Sequence, residues 1–311
     1  MTINDQSNWL TVVMPVHRPN GWLDEALATI PADCGIAVII RDSTPESCAR
    51  EQIDAHVGRI EIDYEYWPEM PSWTRKTNLG VEAAQTEMVC TLHQDDLWLP
   101  GRAKVLKDLL QQYPEASTYL TGAILVDRDS SPLGKWSPPF KTGLVDRKAY
   151  LDALIIQNSI AMPTPMVRRS AWLSSGGLDE TLWYTPDWDL WLKLADQGPV
   201  AFSPGATTAF RIHGNSQTMA GDADEMERQM LAVVDRFCDT GSERMKIARA
   251  SVTINAALAR AMSGKPVNLL RAIRNFLALG PDDGLHYLRQ ARLFERTYPR
   301  LRAWVRGRLN G

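Results

Sequence analysis

Short apolar runs at residues 10–16, 36–40 and 88–92 are separated by stretches with helical spacing. Runs of about 4–8 apolar residues bounded by turn residues read as fully buried strands. Strand, helix, strand, helix is the signature of a parallel α/β sheet. At 44% hydrophobic and 23% charged residues, the chain can bury such a sheet, and composition excludes disorder.

The cadence continues along the chain. Asn20 is placed to cap a helix with apolar positions Leu23, Ala26, Leu27 and Ile30, stopped by Pro31 and Gly35. Residues 46–58 read as helical, 60–66 as a strand, 73–85 as a helix and 100–112 as a helix. A strand is expected at 117–126, a Pro/Gly-rich loop at 131–143, a helix at 146–157 and a strand at 164–167. Thr185-Pro186 opens a further helix, with Thr as N-cap and Pro at its first position, and Gly198-Pro199 stops it. From about 222 onward the pattern is helical, broken at Gly241, at 264–266 and at 280–284. The division expected is an α/β domain at 1–220 and a helical extension at 221–311.

The first strand ends in Pro15-Val16-His17-Arg18-Pro19-Asn20-Gly21. It carries neither GxGxxG nor GxxxxGK[ST], so a glycine-cradled pyrophosphate is not its mode of binding. In open α/β sheets, ligands collect at the carboxyl ends of the strands. The polar residues there are His17, Asp42 and His93-Gln94-Asp95-Asp96. Carboxylates at a strand end suit Mg²⁺ or Mn²⁺, although acids also make turns and cap helices. Lys76 and Arg75 are candidates for neutralising a diphosphate, against the alternative of solvated helix residues. Asp187-Trp188-Asp189 opens a helix, where acids complement the dipole or a carboxylate serves as general base. Four aromatics, Trp183, Tyr184, Trp188 and Trp191, surround it. His213 lies in Phe210-Arg211-Ile212-His213-Gly214-Asn215.

Taken in order, five segments resemble glycosyltransferase family 2, the inverting enzymes of GT-A fold. They are TVVMPVHRPN, AVIIRDSTP, TNLGVEAAQTEMVCTLHQDDLWLPGR, SSGGLDETLWYTPDWDLWLKLADQG and FRIHGNSQT, and they span about residues 10–220. The resemblance implies a mostly parallel sheet flanked by helices and a nucleotide-diphosphate sugar donor. It implies a divalent metal, Mn²⁺ or Mg²⁺, and a glycan or lipid-linked acceptor. It implies Asp187 as catalytic base and Asp95 and His213 as metal-binding residues. The donor-binding set it implies is Pro15, His17, Asp42, Lys76, Asn78, His93 and Asp95. Two positions depart from the family pattern: His93 stands for the first acid of D-x-D, and Pro186 for the Glu before the base. A nucleotidyltransferase and a non-catalytic sugar-binding protein of the same fold are the rival readings. The first lacks its glycine-rich basic loop, and intact Asp95 and Asp187 argue against the second.

Charge is unevenly placed. Residues 265–311 hold ten Lys/Arg against three acids, within a chain of net charge −3. Leu269, Leu270, Ile273, Phe276 and Leu277 recur at helical spacing among them, as do Leu293, Leu301, Trp304 and Val305. A basic amphipathic helix suits an anionic membrane surface. The alternative is an apolar face packed on the catalytic domain or on a second copy in a homo-oligomer. No nucleic-acid partner is expected. The start, MTINDQSNWL, lacks the basic and apolar regions of a signal peptide, and no stretch is long and apolar enough to span a membrane. Four scattered cysteines without CxxC spacing fit a reducing compartment. The expectation is a cytoplasmic protein, peripheral on the inner face of the membrane.

Overall fold

The computed structural model describes residues 8–45, 49–213, 222–262, 267 and 269–309. The expected strands appear as β1 (Leu10–Val16), β2 (Ile36–Asp42), β3 (Glu61–Tyr66) and β4 (Met88–Thr91), all parallel. After them come β5 (Leu97–Trp98), β6 (Thr118–Val126), β7 (Pro132–Trp136), β8 (Gly143–Val145), β9 (Met166–Arg168) and β10 (Val200–Arg211). The strand order is β3-β2-β1-β4-β9-β6-β10-β5, with β7 paired to β6 and β8 to β10. β9 is antiparallel to both β4 and β6, whereas β6 and β10 are parallel to each other. The carboxyl ends of β1, β4, β6 and β10 therefore point to one edge of the sheet.

Alternate side chains along each strand enter different cores, as the two-residue period of a strand requires. Val12, Met14, Val38 and Ile40 pack with α1 (Trp22–Thr29) and α4 (Arg102–Gln112). On the opposite face Val13, Ile39, Val89, Leu120 and Phe202 pack with helices α3 (Trp73–Ala83), α5 (Arg147–Ile156), α6 (Arg169–Ser174) and α7 (Pro186–Leu194). The same cluster takes in Met226, Met230, Val233 and Val234 of α8 (Ala223–Phe237) and Ile247, Ala248 and Val252 of α9 (Glu243–Met262). Asp189 of α7, fully buried, is paired to Lys193 and to Arg236 of α8. The C-terminal helices thus share a core with the sheet. They continue as α10 (Leu269–Leu277), α11 (Gly280–Ala291) and α12 (Leu293–Leu309), the last docking along β7, where Arg302 donates to the Leu133 carbonyl (3.3 Å).

Several expectations are corrected. The helix expected over 46–58 shrinks to α2 (Arg50–Asp54), and 46–48 lie outside the described residues. Residues 131–143 are not a plain loop: β7 pairs antiparallel with β6. β10 has no counterpart among the sequence expectations, because Pro204-Gly205 interrupts its alternation. There the register with β6 shifts between Phe202 and Ala206. Gly122 of β6 makes room for that bulge, since a Cβ on it would sit 2.9 Å from the Pro204 carbonyl. Among the described cysteines, Cys34, Cys90 and Cys238 are free, as expected.

Helix α3, capped by Ser72, lies close on β1 at Gly80, where an added Cβ would fall 2.4 Å from Val13 Cγ1. In an exposed helix, Gly→Ala stabilises by about 1 kcal/mol. Here the sign reverses: Gly80→Ala is expected to cost about 1–3 kcal/mol through overpacking, read by urea denaturation. Val13→Ala in the same chain is expected to recover part of that loss; additive losses would show that the contact is not the cause.

Candidate active site

A cleft of about 1130 Å³ opens over the carboxyl edge of the sheet. Pro15, His17, Lys76, His93, Asp95, Asp187 and His213 all line it. Seven of the site residues expected from sequence therefore meet in one place.

The ends of β1 and β4 are clamped by Gln94. Its Oε1 accepts from the His17 backbone N–H (2.9 Å), and its Nε2 donates to the His17 carbonyl (3.0 Å). Lys76 reaches up from α3 and donates to the Val16 carbonyl (2.6 Å) and Ser43 Oγ (2.8 Å). Burial lowers its ammonium to about 8, against the opposing pull of Asp42. Asp42 and Asn78 are not among the lining residues. Asp42 is fully buried and accepts from the Thr44 N–H (2.7 Å) and the Tyr64 hydroxyl (3.0 Å). Asn78 is held by the loop before α7: it donates to the Leu178 carbonyl and accepts from the Leu178 N–H, both at 2.9 Å.

Past β4, the ligand atoms of His93, Asp95 and Asp96 lie within 4.8 Å of one another. His93 Nε2 and Asp96 Oδ2 are buried and have no hydrogen-bond partner among the described residues. Unpartnered buried polar atoms cost free energy, and two of them beside a third oxygen donor fit a divalent cation. His213 Nε2 bonds Asp95 Oδ2 at 2.8 Å, which sets it beside the expected metal acid, while the ligand atoms that cluster are those of His93, Asp95 and Asp96. Burial acts to raise the Asp95 carboxyl, but the His213 hydrogen bond and the His93 and His213 charges outweigh it and hold it low. Asp96 goes the other way, raised by burial and by the neighbouring Asp95 charge. The rest of the FRIHGNSQT segment, from Gly214 on, lies outside the described residues.

Arg211, at the end of β10, fixes this loop and is absent from the sequence-derived set. Its backbone N–H donates to Asp96 Oδ1 (2.9 Å) and its Nε to the Asp95 carbonyl (2.8 Å). Its remaining nitrogens reach the Arg128 carbonyl, Ser130 Oγ and Glu25, and its guanidinium lies over Trp22. An Arg after a strand carries no distinctive sequence signal.

On the facing wall, Pro186 occupies the first position of α7 as expected, with Thr185 at the N-cap. The Thr185 hydroxyl makes no capping bond; Asp187 Oδ1 instead accepts from the Trp188 N–H (2.8 Å). Asn158 Nδ2 donates to Asp187 Oδ2 (2.9 Å). Burial raises the Asp187 carboxyl to about 6, although both hydrogen bonds oppose the shift. Sequence reasoning missed Asn158, which lies in a loop after α5 with no motif of its own.

No family model matches the chain. It is 23% identical over 219 residues to an uncharacterised glycosyltransferase of Rickettsia conorii, and 22% identical over 213 residues to one of Rickettsia felis. Those matches take in 68% and 66% of this chain but only 35% and 34% of the relatives, so the chain spans about a third of their length. Among solved structures it resembles Staphylococcus aureus TarS residues 1–349 in complex with UDP-GlcNAc, with a TM-score of 0.63 at 14% identity. That likeness covers 95% of this chain and 89% of that one. The mannosyltransferase PcManGT from Pyrobaculum calidifontis, in complex with GDP-Man and Mn²⁺, follows with a TM-score of 0.54 at 15% identity, covering 96% and 87%.

The fold is GT-A-like. The chain is related to glycosyltransferases and carries a potential divalent-metal site.

A carboxyl raised in the folded state stabilises the protein fully below the unfolded value near 4 and loses that stability as pH rises through about 6. Asp187→Asn is therefore expected to be more stable than the wild type at pH 7, by on the order of 1–2 kcal/mol once partial solvent contact is discounted. The Asn158 amide can turn its unpartnered Oδ1 toward the new NH₂. Thermal midpoints measured from pH 4 to 8 check this, and a gap that does not close toward pH 4 would contradict it.

Proposed function

We propose that the chain is a metal-dependent, inverting glycosyltransferase of family 2. It moves a hexose from a nucleotide-diphosphate sugar to a hydroxyl of a glycan or lipid-linked acceptor, in cell-surface polysaccharide synthesis. The observation that carries this reading is the pairing, in one cleft, of the His93–Asp95–Asp96 cluster with the Asp187 carboxylate. The UDP-GlcNAc and GDP-Man complexes of the fold neighbours support a nucleotide-sugar donor. On this reading residues 1–220 form the transferase domain and 221–311 its helical extension.

His93, Asp95 and Asp96 would hold the metal, which when bound offsets the charge growing on the leaving diphosphate. A nitrogen in that set favours Mn²⁺ over Mg²⁺. His213 keeps Asp95 ionised and oriented. Pro15, His17 and the tethered Lys76 shape the donor end. Asp187 removes the proton from the attacking acceptor hydroxyl. With its carboxyl near 6, it is a stronger base than an ordinary aspartate yet is ionised at pH 7. Attack from the face opposite the leaving group inverts the anomeric carbon, and no enzyme nucleophile takes part.

The test is turnover of a panel of UDP- and GDP-sugars with Mn²⁺ and mixed glycan acceptors, with and without EDTA. Transfer is expected to vanish in EDTA and in Asp95→Ala, and Asp187→Asn is expected to lose about 10²–10⁴ in rate with nucleotide affinity kept. The rate should fall below pH about 6, and Asn158→Ala should move that limb upward by removing a hydrogen bond that favours the ionised carboxylate. Full turnover in EDTA, or more than half the wild-type rate in Asp187→Asn, defeats the assignment.

The reading also places the protein at the cytoplasmic face of a membrane. Among the described residues, no helix is long and apolar enough to cross one. On α10, however, Leu269, Leu270, Ile273 and Leu277 are exposed beside Arg271 and Arg274, with Leu270 at 81%. Phe276 departs from that row and packs on Tyr287. Leu301 and Val305 of α12 are also exposed, while the Trp304 side chain and Lys265 lie outside the described residues. Co-sedimentation with vesicles rich in phosphatidylglycerol is expected at low salt, and Leu270→Glu with Leu277→Glu is expected to release the protein. Retention of that variant on vesicles, or light scattering that shows the face buried in a dimer, contradicts the membrane role.

A further inference from the structure

The cleft wall beside Asp187 is completed by two arginines from the far end of the chain. Arg296 and Arg300, one turn apart on α12, both line the cavity, as do Tyr184 and Asn255. Arg296 donates to Gln157 Oε1 (2.9 Å) and to Asn255 Oδ1. Gln157 is the neighbour of Asn158, which holds Asp187. The pair therefore stands on the base's side of the cleft, whereas Lys76, His93 and Asp95 enter from α3 and the end of β4.

Neither arginine has a carboxylate partner among the described residues. Other arginines of the helical extension do: Arg260 pairs with Asp224 and Glu227, Arg271 with Glu227, and Arg292 with Glu295. Among the described residues the Arg300 side chain makes one hydrogen bond, to the Arg296 carbonyl of its own helix (2.7 Å), which leaves most of its donors available. Burial, then the Arg296 charge, lowers the Arg300 guanidinium to about 10, so Arg300 remains a cation at neutral pH, and burial lowers Arg296 as well. Two partly buried like charges with no counter-charge are unfavourable unless an anion joins them. A guanidinium fork matches phosphate oxygens in two-point geometry.

We infer that Arg296 and Arg300 form an acceptor subsite for a phosphate group carried close to the attacking hydroxyl. This deepens the glycosyltransferase reading and rests on it. The acceptor is then a phosphate-bearing polyol, sugar or lipid, and a neutral oligosaccharide is a poor substrate.

The test uses sn-glycerol 3-phosphate as probe and glycerol as neutral control. Both are titrated by calorimetry into the full chain, with saturating Mn²⁺ and whichever of UDP and GDP binds. The wild type is expected to bind the phosphate at least tenfold more tightly than glycerol. Arg300→Gln should weaken it by about tenfold and the double variant with Arg296→Gln should abolish it, while Arg300→Lys keeps part of the affinity. Nucleotide affinity should be unchanged in Arg300→Gln, and thermal midpoints report whether α12 stays docked. Octyl phosphate separates the sources. Tighter binding than glycerol phosphate assigns a lipid-borne phosphate; equal or weaker binding assigns a soluble one, and both support the subsite. Unchanged phosphate affinity in Arg300→Gln overturns it. So does displacement of glycerol phosphate by nucleotide, which would give the arginines to the donor diphosphate. If no nucleotide binds the wild type, the donor reading fails by itself, and the phosphate titration of the unliganded chain still reads the arginine pair.

Discussion

The buried guanidinium of Arg211 is the contact on which the cleft depends. Charge inside a protein must be hydrogen-bonded on all sides, and this one is met by carbonyls, a hydroxyl, a carboxylate and an aromatic face. Because those partners belong to α1, the loop after β4 and the turn after β6, satisfying one cation fixes three separate segments. Within the loop after β4 that Arg211 bonds, His93 Nε2 and Asp96 Oδ2 have no hydrogen-bond partner among the described residues.

The two acids of α7 show how one turn of helix separates structure from chemistry. Asp189 is fully buried between Lys193 and Arg236, and ties α7 to α8. Asp187, two residues earlier, is in no ion pair among the described residues and is held by an amide and a backbone N–H. Burial without an ion-pair partner raises a carboxyl, as it does at Asp187. Their order within Asp187-Trp188-Asp189 does not reveal which is which. The difference lies in Arg236 and Asn158, residues 47 and 29 positions away.

That contrast marks what the sequence made legible. The strands β1, β2 and β4 and the helices between them follow from apolar spacing, and the acids at their ends follow from where parallel strands must open. The order of five motifs located the cleft and seven of its residues. What stayed hidden was set by long-range pairing. β10 is concealed by Pro204-Gly205, which is tolerated only because Gly122 faces it. Asn78 and Asp42 sit in the expected motifs, but their hydrogen bonds turn inward, to Leu178 and to Thr44 and Tyr64. His213 lies in the expected place and acts on Asp95 through a direct bond. Apart from the Asp42–Thr44 turn, these outcomes have no local sequence signal, because each depends on a partner far along the chain.

The shared wall of α12 and β7 joins parts of the chain far apart in sequence. Arg296 and Arg300 of α12 line the same cleft as Pro15 at the end of β1 and His213 after β10. A cavity walled from such distant segments exists only while α12 stays docked on β7. Fraying of that one helix would open the cleft to solvent on one side without breaking a single strand pairing, so the cavity is less durable than the sheet beneath it.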